Sequence, residues 1–200
     1  MIDYTKLKVG DIFLTKKVNR PIIDKLIWFF QKIRKKPIKA PVVTHSAAYL
    51  GAHEIIEAWA FGIRSQRKNL NHDFFKNYNV YVLRARKDFD RLKWRIDCIN
   101  EIGIKYAYKQ IFYIAFRKTL RMLRIGKLLK LLGLKKKIKK KGKWKGKDIQ
   151  PDAYTCSEYL SFIFRKQGIK IHPRKVDAMV FPIDIYESKE FKEVQRSIVK

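Results

Sequence analysis

Cys156 is the residue of this sequence whose type and setting point most clearly to chemistry. It stands in the stretch DAYTCSEYLSFIF, residues 152–164, where an apolar helical pattern begins. A thiol becomes a nucleophile when its thiolate is stabilised, and a helix N-terminus and a nearby imidazolium both do this. The pattern predicts the helix N-terminus, so the open question is whether a histidine lies nearby. The alternative is a buried structural thiol beside a half-buried histidine.

His45 is the strongest candidate for the base among the four histidines. It lies in VVTHSAAYL, a strand-like run in which an imidazole needs a polar partner. The β-rich runs on either side of Gly51 predict a hairpin, and a loop centred there sets residue i opposite residue 102 − i. That register places Glu57 directly beside His45, where a carboxylate would fix the imidazole tautomer. The prediction is conditional, because a loop one residue longer or shorter would change the register.

The elements that must position these side chains predict an α+β fold. Strands are expected at GDIFLT (10–15), in the hairpin and at NVYVLRA (79–85). Helices are expected after Pro21, over 88–104 and over 105–134. Residues 170–200 are expected to hold a short strand or turn region and a charged C-terminal helix or tail. In the second of these helices, the residues expected to face inward are Leu92, Ile96, Ile99 and Cys98.

The net charge of +29 is concentrated in one part of the chain. Residues 102–147 contain 17 of the 47 Lys and Arg and no acidic residue. Such a patch is typical of a surface that meets phosphate groups or anionic lipid headgroups, although a solvated lysine-rich insertion is the alternative. The residues expected to contact an anionic surface are Arg117, Arg121, Arg124, Lys127, Lys136, Lys140 and Trp144.

Length and composition exclude several classes of protein. A chain of 200 residues with 46% apolar residues can bury a core as one domain and is not typical of disorder. Two cysteines do not make a disulfide framework. We expect no signal peptide or transmembrane helix, and a cytoplasmic location with peripheral membrane association. No CxxC or HExxH spacing occurs, so neither a metal nor another cofactor is expected.

Five short motifs, in their order along the chain, resemble a known family. GDIFLT, THSAAYLG, IIEAWAFGIR, YTCSEYL and FPIDIYES are similar to the YiiX/YebB-like cysteine hydrolases, circularly permuted papain-fold members of the NlpC-like superfamily. The resemblance covers about residues 9–84 and 150–192. It implies a single permuted papain-like domain over 1–200, a small antiparallel sheet or barrel packed with helices. The basic helical stretch and lysine-rich loop over 105–147 would be an insertion within it.

The resemblance also implies roles for individual residues. Cys156 would be the nucleophile, His45 its base and Glu57 the orienting residue, while Tyr154 and Tyr106 would line the substrate site. The permuted chain order accommodates a histidine that precedes the cysteine. Residue 107 is alanine where the family often has an acidic residue, so the resemblance implies no role for this position.

The expected function is a cysteine hydrolase or acyl transferase that cleaves an amide or ester bond through an acyl-enzyme. The expected substrate carries an acyl, peptide or lipid group and lies at an anionic membrane surface. The alternative is a non-catalytic basic module that binds anionic lipid or nucleic acid. Nucleic acid is the weaker expectation because no recognised nucleic-acid-binding motif occurs. The sequence makes no prediction of oligomeric state.

Overall fold

A computed structural model describes residues 2–17, 41, 43–59, 61–67, 77–107, 153–173, 177 and 180–199. The chain divides into two units, residues 1–106 with 152–200, and residues 107–151. All of the described helices and strands belong to the first unit, because the second contains a single described residue. The predicted helix after Pro21, the helical stretch beyond residue 107 and all seven residues predicted to contact an anionic surface lie outside the described residues.

The centre of the first unit is a six-stranded antiparallel sheet with the order β4-β3-β2-β1-β5-β8. The strands of this sheet are β1 (Ile12–Lys17), β2 (His45–Gly51), β3 (Glu54–Trp59), β4 (Gly62–Arg67), β5 (Tyr78–Ala85) and β8 (Phe191–Ser197). A short parallel pair joins β6 (Lys105–Tyr106) to β7 (Ala153–Tyr154). The described helices are a 3-10 turn at Tyr4–Lys6, α1 (Arg91–Ile99), α2 (Cys156–Lys166) and α3 (Pro182–Tyr186). The predicted α+β class is therefore confirmed.

The strands bury side chains on both faces of the sheet because residues along a strand point alternately to opposite sides. One face packs with the helices, and its buried residues include Leu14, Ile56 and Leu83 from the strands and Leu160 and Ile163 from α2. The opposite face buries a smaller cluster formed by Ile2, Phe13, Ala47, Tyr49, Ile55, Val80 and Val82. Burial on both faces holds β2 and β3, which carry His45 and Glu57, in a fixed position.

Helix α1 buries a different face from the one predicted. Leu92 is 70% exposed, and Ile96 and Ile99 are also exposed, so the prediction that they face inward was wrong. Trp94 and Cys98, one helical turn apart, are the buried pair, and the Trp94 ring packs against Phe164. Two positions along a helix rotate the side chain by about 200°. Burying the large Trp94 ring therefore turns the three aliphatic residues outward.

Two other local predictions differ from the structure, and one strand was not predicted. The C-terminal segment forms an edge strand, β8, and not a helix or tail; its exposed charged residues Lys192, Glu193 and Arg196 are typical of strands at a sheet edge. Residues 105–106 form β6, so the predicted helix does not begin at 105. Strand β4, which pairs along its full length with β3, was not predicted from the sequence.

Candidate active site

Cys156 occupies the first position of α2, as the sequence predicted. Thr155 caps the helix: its Oγ1 accepts a hydrogen bond from the Glu158 N–H at 3.3 Å, and Glu158 Oε2 accepts one from the Thr155 N–H at 3.2 Å. This reciprocal capping box fixes the point at which the helix begins. The Cys156 N–H belongs to the first turn, which has no intrahelical acceptor, and the positive end of the helix dipole favours an anion there.

The hairpin that carries His45 turns at Ala52 and His53. Both residues have positive φ, 48° and 61°, the sign that a two-residue type I′ hairpin loop requires. Gly51 and Glu54 pair on either side of the loop. A β-bulge then follows in β2 between Tyr49 and Gly51 and changes the pairing by one residue.

The bulge decides which face of the sheet Glu57 occupies. If the pairing of Gly51 with Glu54 continued without a bulge, Glu57 would pair with Ala48. Its side chain would then lie on the other face of the sheet from His45. With the bulge, Glu57 pairs with Ala47. The predicted register, Glu57 directly opposite His45, was therefore wrong by two residues. Because two residues preserve the face, Glu57 still lies diagonally beside the imidazole.

The three side chains predicted to form the site come together from three elements. His45 Nε2 lies 2.8 Å from Glu57 Oε2. The His45 ring also hydrogen-bonds with the Cys156 thiol. Because Nε2 contacts Glu57, the ring nitrogen that remains for the thiol is Nδ1. The His45 side chain is 17% exposed, Glu57 is 3% exposed and Cys156 is 3% exposed. We call Cys156 and His45 the thiol–imidazole pair.

The surroundings favour the charged forms of all three groups. Burial opposes the imidazolium, but hydrogen bonds to Cys156 and Glu57 outweigh it and raise the pKa of His45 to about 10. Burial likewise raises the pKa of the Cys156 thiol, but the hydrogen bond from His45 and the adjacent Ser46 lower it overall. A cysteine pKa below its ordinary value beside a histidine pKa above its own favours the thiolate–imidazolium ion pair over the neutral thiol and imidazole.

Arg64 is a member of this cluster that the sequence analysis missed. Its Nε and Nη2 donate to Glu57 Oε1 at 3.2 and 2.9 Å, and its guanidinium lies 5.3 Å from the Trp59 ring centroid. Burial would raise the pKa of Glu57, but His45 and Arg64 together lower it to about 2. Glu57 and Arg64 are directly paired across β3 and β4. Recognising a tight turn before Gly62 would therefore have found this contact.

Trp59 covers the outer side of the site. Its ring packs edge-on against the His45 ring, with 5.0 Å between the centroids, and remains partly exposed. The stacked Arg64 guanidinium restrains the same ring. The aromatic cover limits access of water to the imidazole, which strengthens the electrostatic interactions beneath it.

The two predicted lining residues lie away from the open surface. Tyr154 is fully buried; its hydroxyl donates to Glu101 Oε2 at 3.3 Å and its ring packs against Phe162. Burial, followed by the nearby Glu101, raises the pKa of Tyr154. Tyr106 is partly buried and pairs with Tyr154 across β6 and β7. The substrate-lining role of both tyrosines stays a prediction.

Cys98 contrasts with Cys156 in every property that matters for reactivity. It is fully buried in α1, within the hydrophobic core, as the sequence predicted. Burial raises the pKa of the Cys98 thiol well above its ordinary value, and no histidine contributes. Of the two free thiols, only Cys156 therefore has the features of a nucleophile.

No protein-family model matches the chain, and no curated protein matches its sequence. Within the described ranges, no three His, Cys, Asp or Glu side chains are grouped as ligands for a metal ion. No helix in the described part of the chain is long and apolar enough to cross a membrane. The interpretation of the site therefore depends on its own geometry.

Proposed function

We propose that this protein is a thiol-dependent hydrolase or acyl transferase that cleaves an amide or ester bond. The observation that carries the proposal is the chain of contacts from Cys156 through His45 to the buried Glu57. A structural cysteine needs neither a helix N-terminus nor an imidazole held by a carboxylate. Burying these charges costs free energy unless each is paired, and here the pairing joins a nucleophile, a base and an orienting group.

The proposed reaction begins with attack of the Cys156 thiolate on the substrate carbonyl carbon. The carbon–sulfur bond forms as the carbonyl π electrons move to oxygen, giving a tetrahedral intermediate. The intermediate collapses with cleavage of the carbon–nitrogen or carbon–oxygen bond, and the His45 imidazolium donates a proton to the leaving group. An acyl thioester remains on Cys156.

The second half of the reaction releases the acyl group to water or to another nucleophile. His45, now neutral, removes the proton of the acceptor as it attacks the thioester, and the thiolate leaves. Glu57 stabilises the imidazolium in each half and holds the ring so that Nδ1 faces the sulfur. Arg64 acts on the carboxylate rather than on the substrate, so we assign it a positioning role.

We further propose that the fold is a circularly permuted papain-like fold of the YiiX/YebB-like kind. The motifs that resemble this family supply β1, β2, β3, the start of α2 and α3. The histidine-bearing strand precedes the cysteine-bearing helix along the chain, as the permuted order requires. Within this proposal, Cys156, His45 and Glu57 keep the roles that the resemblance implies.

The charge distribution supports a substrate at an anionic membrane surface. A net charge of +29 attracts the protein to such a surface, with about 1 kcal/mol per basic residue held near it. We therefore propose an acyl-, peptide- or lipid-containing substrate and a cytoplasmic location with peripheral membrane association. The buried free thiols of Cys98 and Cys156 are compatible with a reducing compartment.

Acylation of the protein by an activated ester tests the proposed chemistry. Wild-type protein is mixed with p-nitrophenyl acetate and the product is measured by intact-mass and peptide mass spectrometry. We expect one hydroxylamine-sensitive acetyl group on Cys156, absent in Cys156→Ala and His45→Ala but present in the matched control Cys98→Ala. Equal acylation of Cys156→Ala would show that the reaction does not use this thiol.

Binding of an anionic surface without catalysis is the second candidate, favoured by the absence of acidic residues in 102–147. Co-sedimentation with phosphatidylserine vesicles, with phosphatidylcholine vesicles as control, measures it. Removal of residues 135–147 is expected to weaken binding and leave acylation of Cys156 intact. Strong binding by a protein whose Cys156 is never acylated would favour the non-catalytic candidate. Binding of RNA but not vesicles would favour a nucleic-acid partner.

A further inference from the structure

Ser46, the residue after His45, has a buried hydroxyl group without a partner. Its side chain is fully buried, and among the described residues only Ser46 Oγ and Trp94 Nε1 are buried side-chain polar atoms with no hydrogen bond. Leaving a buried hydroxyl unsatisfied costs about 1–3 kcal/mol. The Trp94 indole packs among aromatic rings in the core, whereas Ser46 lies beside the nucleophile.

Two donors of Ser46 lie next to the Cys156 sulfur. Strand β2 pairs with β3 only from Ala47 onward, and the Ser46 N–H lies close enough to Cys156 Sγ to favour its thiolate form. The Ser46 hydroxyl lies close enough to the same sulfur to favour its thiolate form, without the geometry of a full hydrogen bond. Because Ser46 Oγ makes no hydrogen bond within the described part of the chain, the hydroxyl can donate to a second acceptor without breaking one.

We propose that the Ser46 hydroxyl is an oxyanion-hole donor for acyl transfer at Cys156. The inference rests on the proposed function and adds a catalytic residue to it. When the thiolate attacks, the carbonyl carbon becomes bonded to Sγ. The electron pair of the broken π bond moves to the carbonyl oxygen, which is bonded to that same carbon. Donors that surround the sulfur are therefore the nearest groups to this oxygen. The Ser46 O–H donates to it from the strand, and the Cys156 N–H, which belongs to the first turn of α2, donates to it from the helix.

No proton of Ser46 is transferred in this step. The hydrogen bond strengthens as negative charge develops on the oxygen and weakens again when the intermediate collapses and the carbonyl re-forms. The proton that the leaving group needs comes from His45. The arriving oxygen also satisfies the hydroxyl that has no partner in the resting site, so the interaction favours the transition state over the free enzyme.

Two reactions of the same thiol separate this role from simple stabilisation of the thiolate. Iodoacetamide alkylates sulfur by direct displacement at a saturated carbon, and no oxyanion forms. p-Nitrophenyl acetate acylates it through a tetrahedral intermediate. In Ser46→Ala the backbone N–H beside the sulfur remains. We therefore expect an alkylation rate within about threefold of wild type and an acylation rate lower by about 10²–10³-fold, the usual effect of removing one oxyanion donor.

Ser161→Ala is the matched control. Ser161 is also a buried serine of the site region, on α2, but its hydroxyl donates to Asp177 Oδ1 at 2.6 Å and not toward Cys156. The ratio of acylation to alkylation rates should remain unchanged in this variant. Ser46→Ala should also fold, because it removes an oxygen that makes no hydrogen bond. Urea unfolding of Ser46→Ala is expected to give a stability close to that of wild type, because the loss of a group that favours the thiolate opposes the removal of an unsatisfied buried hydroxyl.

The outcomes distinguish this inference from the proposed function. A selective loss of acylation in Ser46→Ala supports the oxyanion role. Equal acylation by wild type and Ser46→Ala overturns it and leaves Cys156 as the nucleophile. Proportional loss of both reactions also overturns it, since Ser46 would then act on the thiolate alone. A wild-type protein that is alkylated but never acylated at Cys156 would overturn the proposed function and this inference together.

Discussion

Replacing Glu57 with glutamine tests whether the charge of this carboxylate holds the site together. The substitution keeps the shape of the side chain and removes its charge. Glu57 is almost fully buried, and both of its oxygens are used: Oε2 by His45 at 2.8 Å and Oε1 by Arg64 at 2.9 and 3.2 Å. A neutral amide satisfies these cations less well and presents an NH₂ donor to one of them.

The expected loss of stability follows from the pKa of Glu57. Burial would raise this pKa, yet hydrogen bonds from His45 and Arg64 lower it from 4.5 to about 2. At about 1.4 kcal/mol per pKa unit, that difference corresponds to about 3 kcal/mol in favour of the ionised, folded form. We expect Glu57→Gln to lower the free energy of unfolding at pH 7 by about 2–4 kcal/mol, since breaking a buried pair leaves its cations uncompensated.

The pH dependence of this loss gives a second readout. A carboxyl group whose pKa is lower in the folded state stabilises fully above its unfolded pKa, about 4.5, and loses this effect as the pH falls toward 2. The difference between wild type and Glu57→Gln in urea unfolding should therefore be largest near pH 7 and shrink below pH 4.5. Glu54→Gln is the matched control on the same strand, because Glu54 is partly exposed and lies 3.7 Å from Arg95. Its loss should stay below about 1 kcal/mol.

Two results would refute this reasoning. Glu57→Gln as stable as wild type at pH 7 would mean that the contacts of Glu57 contribute nothing. A loss of stability that is the same at pH 3 as at pH 7 would mean that shape, and not charge, is responsible.

Three further predictions concern the fold and its pH dependence. Gly62→Ala should cost at least about 2 kcal/mol more than Gly103→Ala in urea unfolding, although both glycines have positive φ. The reason is that a Cβ at Gly62 would lie 2.5 Å from the Ile104 carbonyl oxygen, whereas one at Gly103 meets nothing within 4 Å. Equal losses would contradict this packing. Trp94→Ala should cost about 3–5 kcal/mol and Leu92→Ala less than about 0.5 kcal/mol, and similar losses would mean that α1 is rotated. The raised pKa of His45 contributes stability that is lost as the pH rises toward about 10, and the lowered pKa of Cys156 contributes stability that is lost as the pH falls through it. Measured against a variant lacking both side chains, the contribution of the thiol–imidazole pair should therefore fall toward both acid and alkaline pH, and a steady rise from acid to alkaline pH would exclude the ion pair.

Local chemistry explains why the start of the cysteine helix could be predicted. Thr155 and Glu158 stand at the spacing of a capping box, and the apolar pattern that follows ends at Gly168, which has positive φ. These signals act within a few residues, so the sequence determines them directly. The contact between His45 and Glu57 was also predicted, although from the wrong register.

Features that depend on packing between elements could not be predicted. The hairpin turns at alanine and histidine with positive φ, where glycine or asparagine is the usual signal. Its β-bulge then changes the strand pairing by one residue, which returns Glu57 to the face of His45. Ser46 became a candidate only once β2 was packed against α2. The orientation of α1 depends on Trp94 filling space beside Phe164, which an apolar periodicity does not reveal.

The pH dependence of Cys156 alkylation tests the proposed site most directly, with Cys98 as an internal control. We expect Cys156 in the wild-type protein to react with iodoacetamide as a thiolate well below the ordinary cysteine pKa of about 8.5. In His45→Ala this reactivity at neutral pH should be lost, while Cys98, whose pKa is raised by burial, should react only on unfolding. A Cys156 that reacts slowly at neutral pH, and at the same rate in His45→Ala, would contradict the proposed thiolate–imidazolium pair and identify a structural thiol.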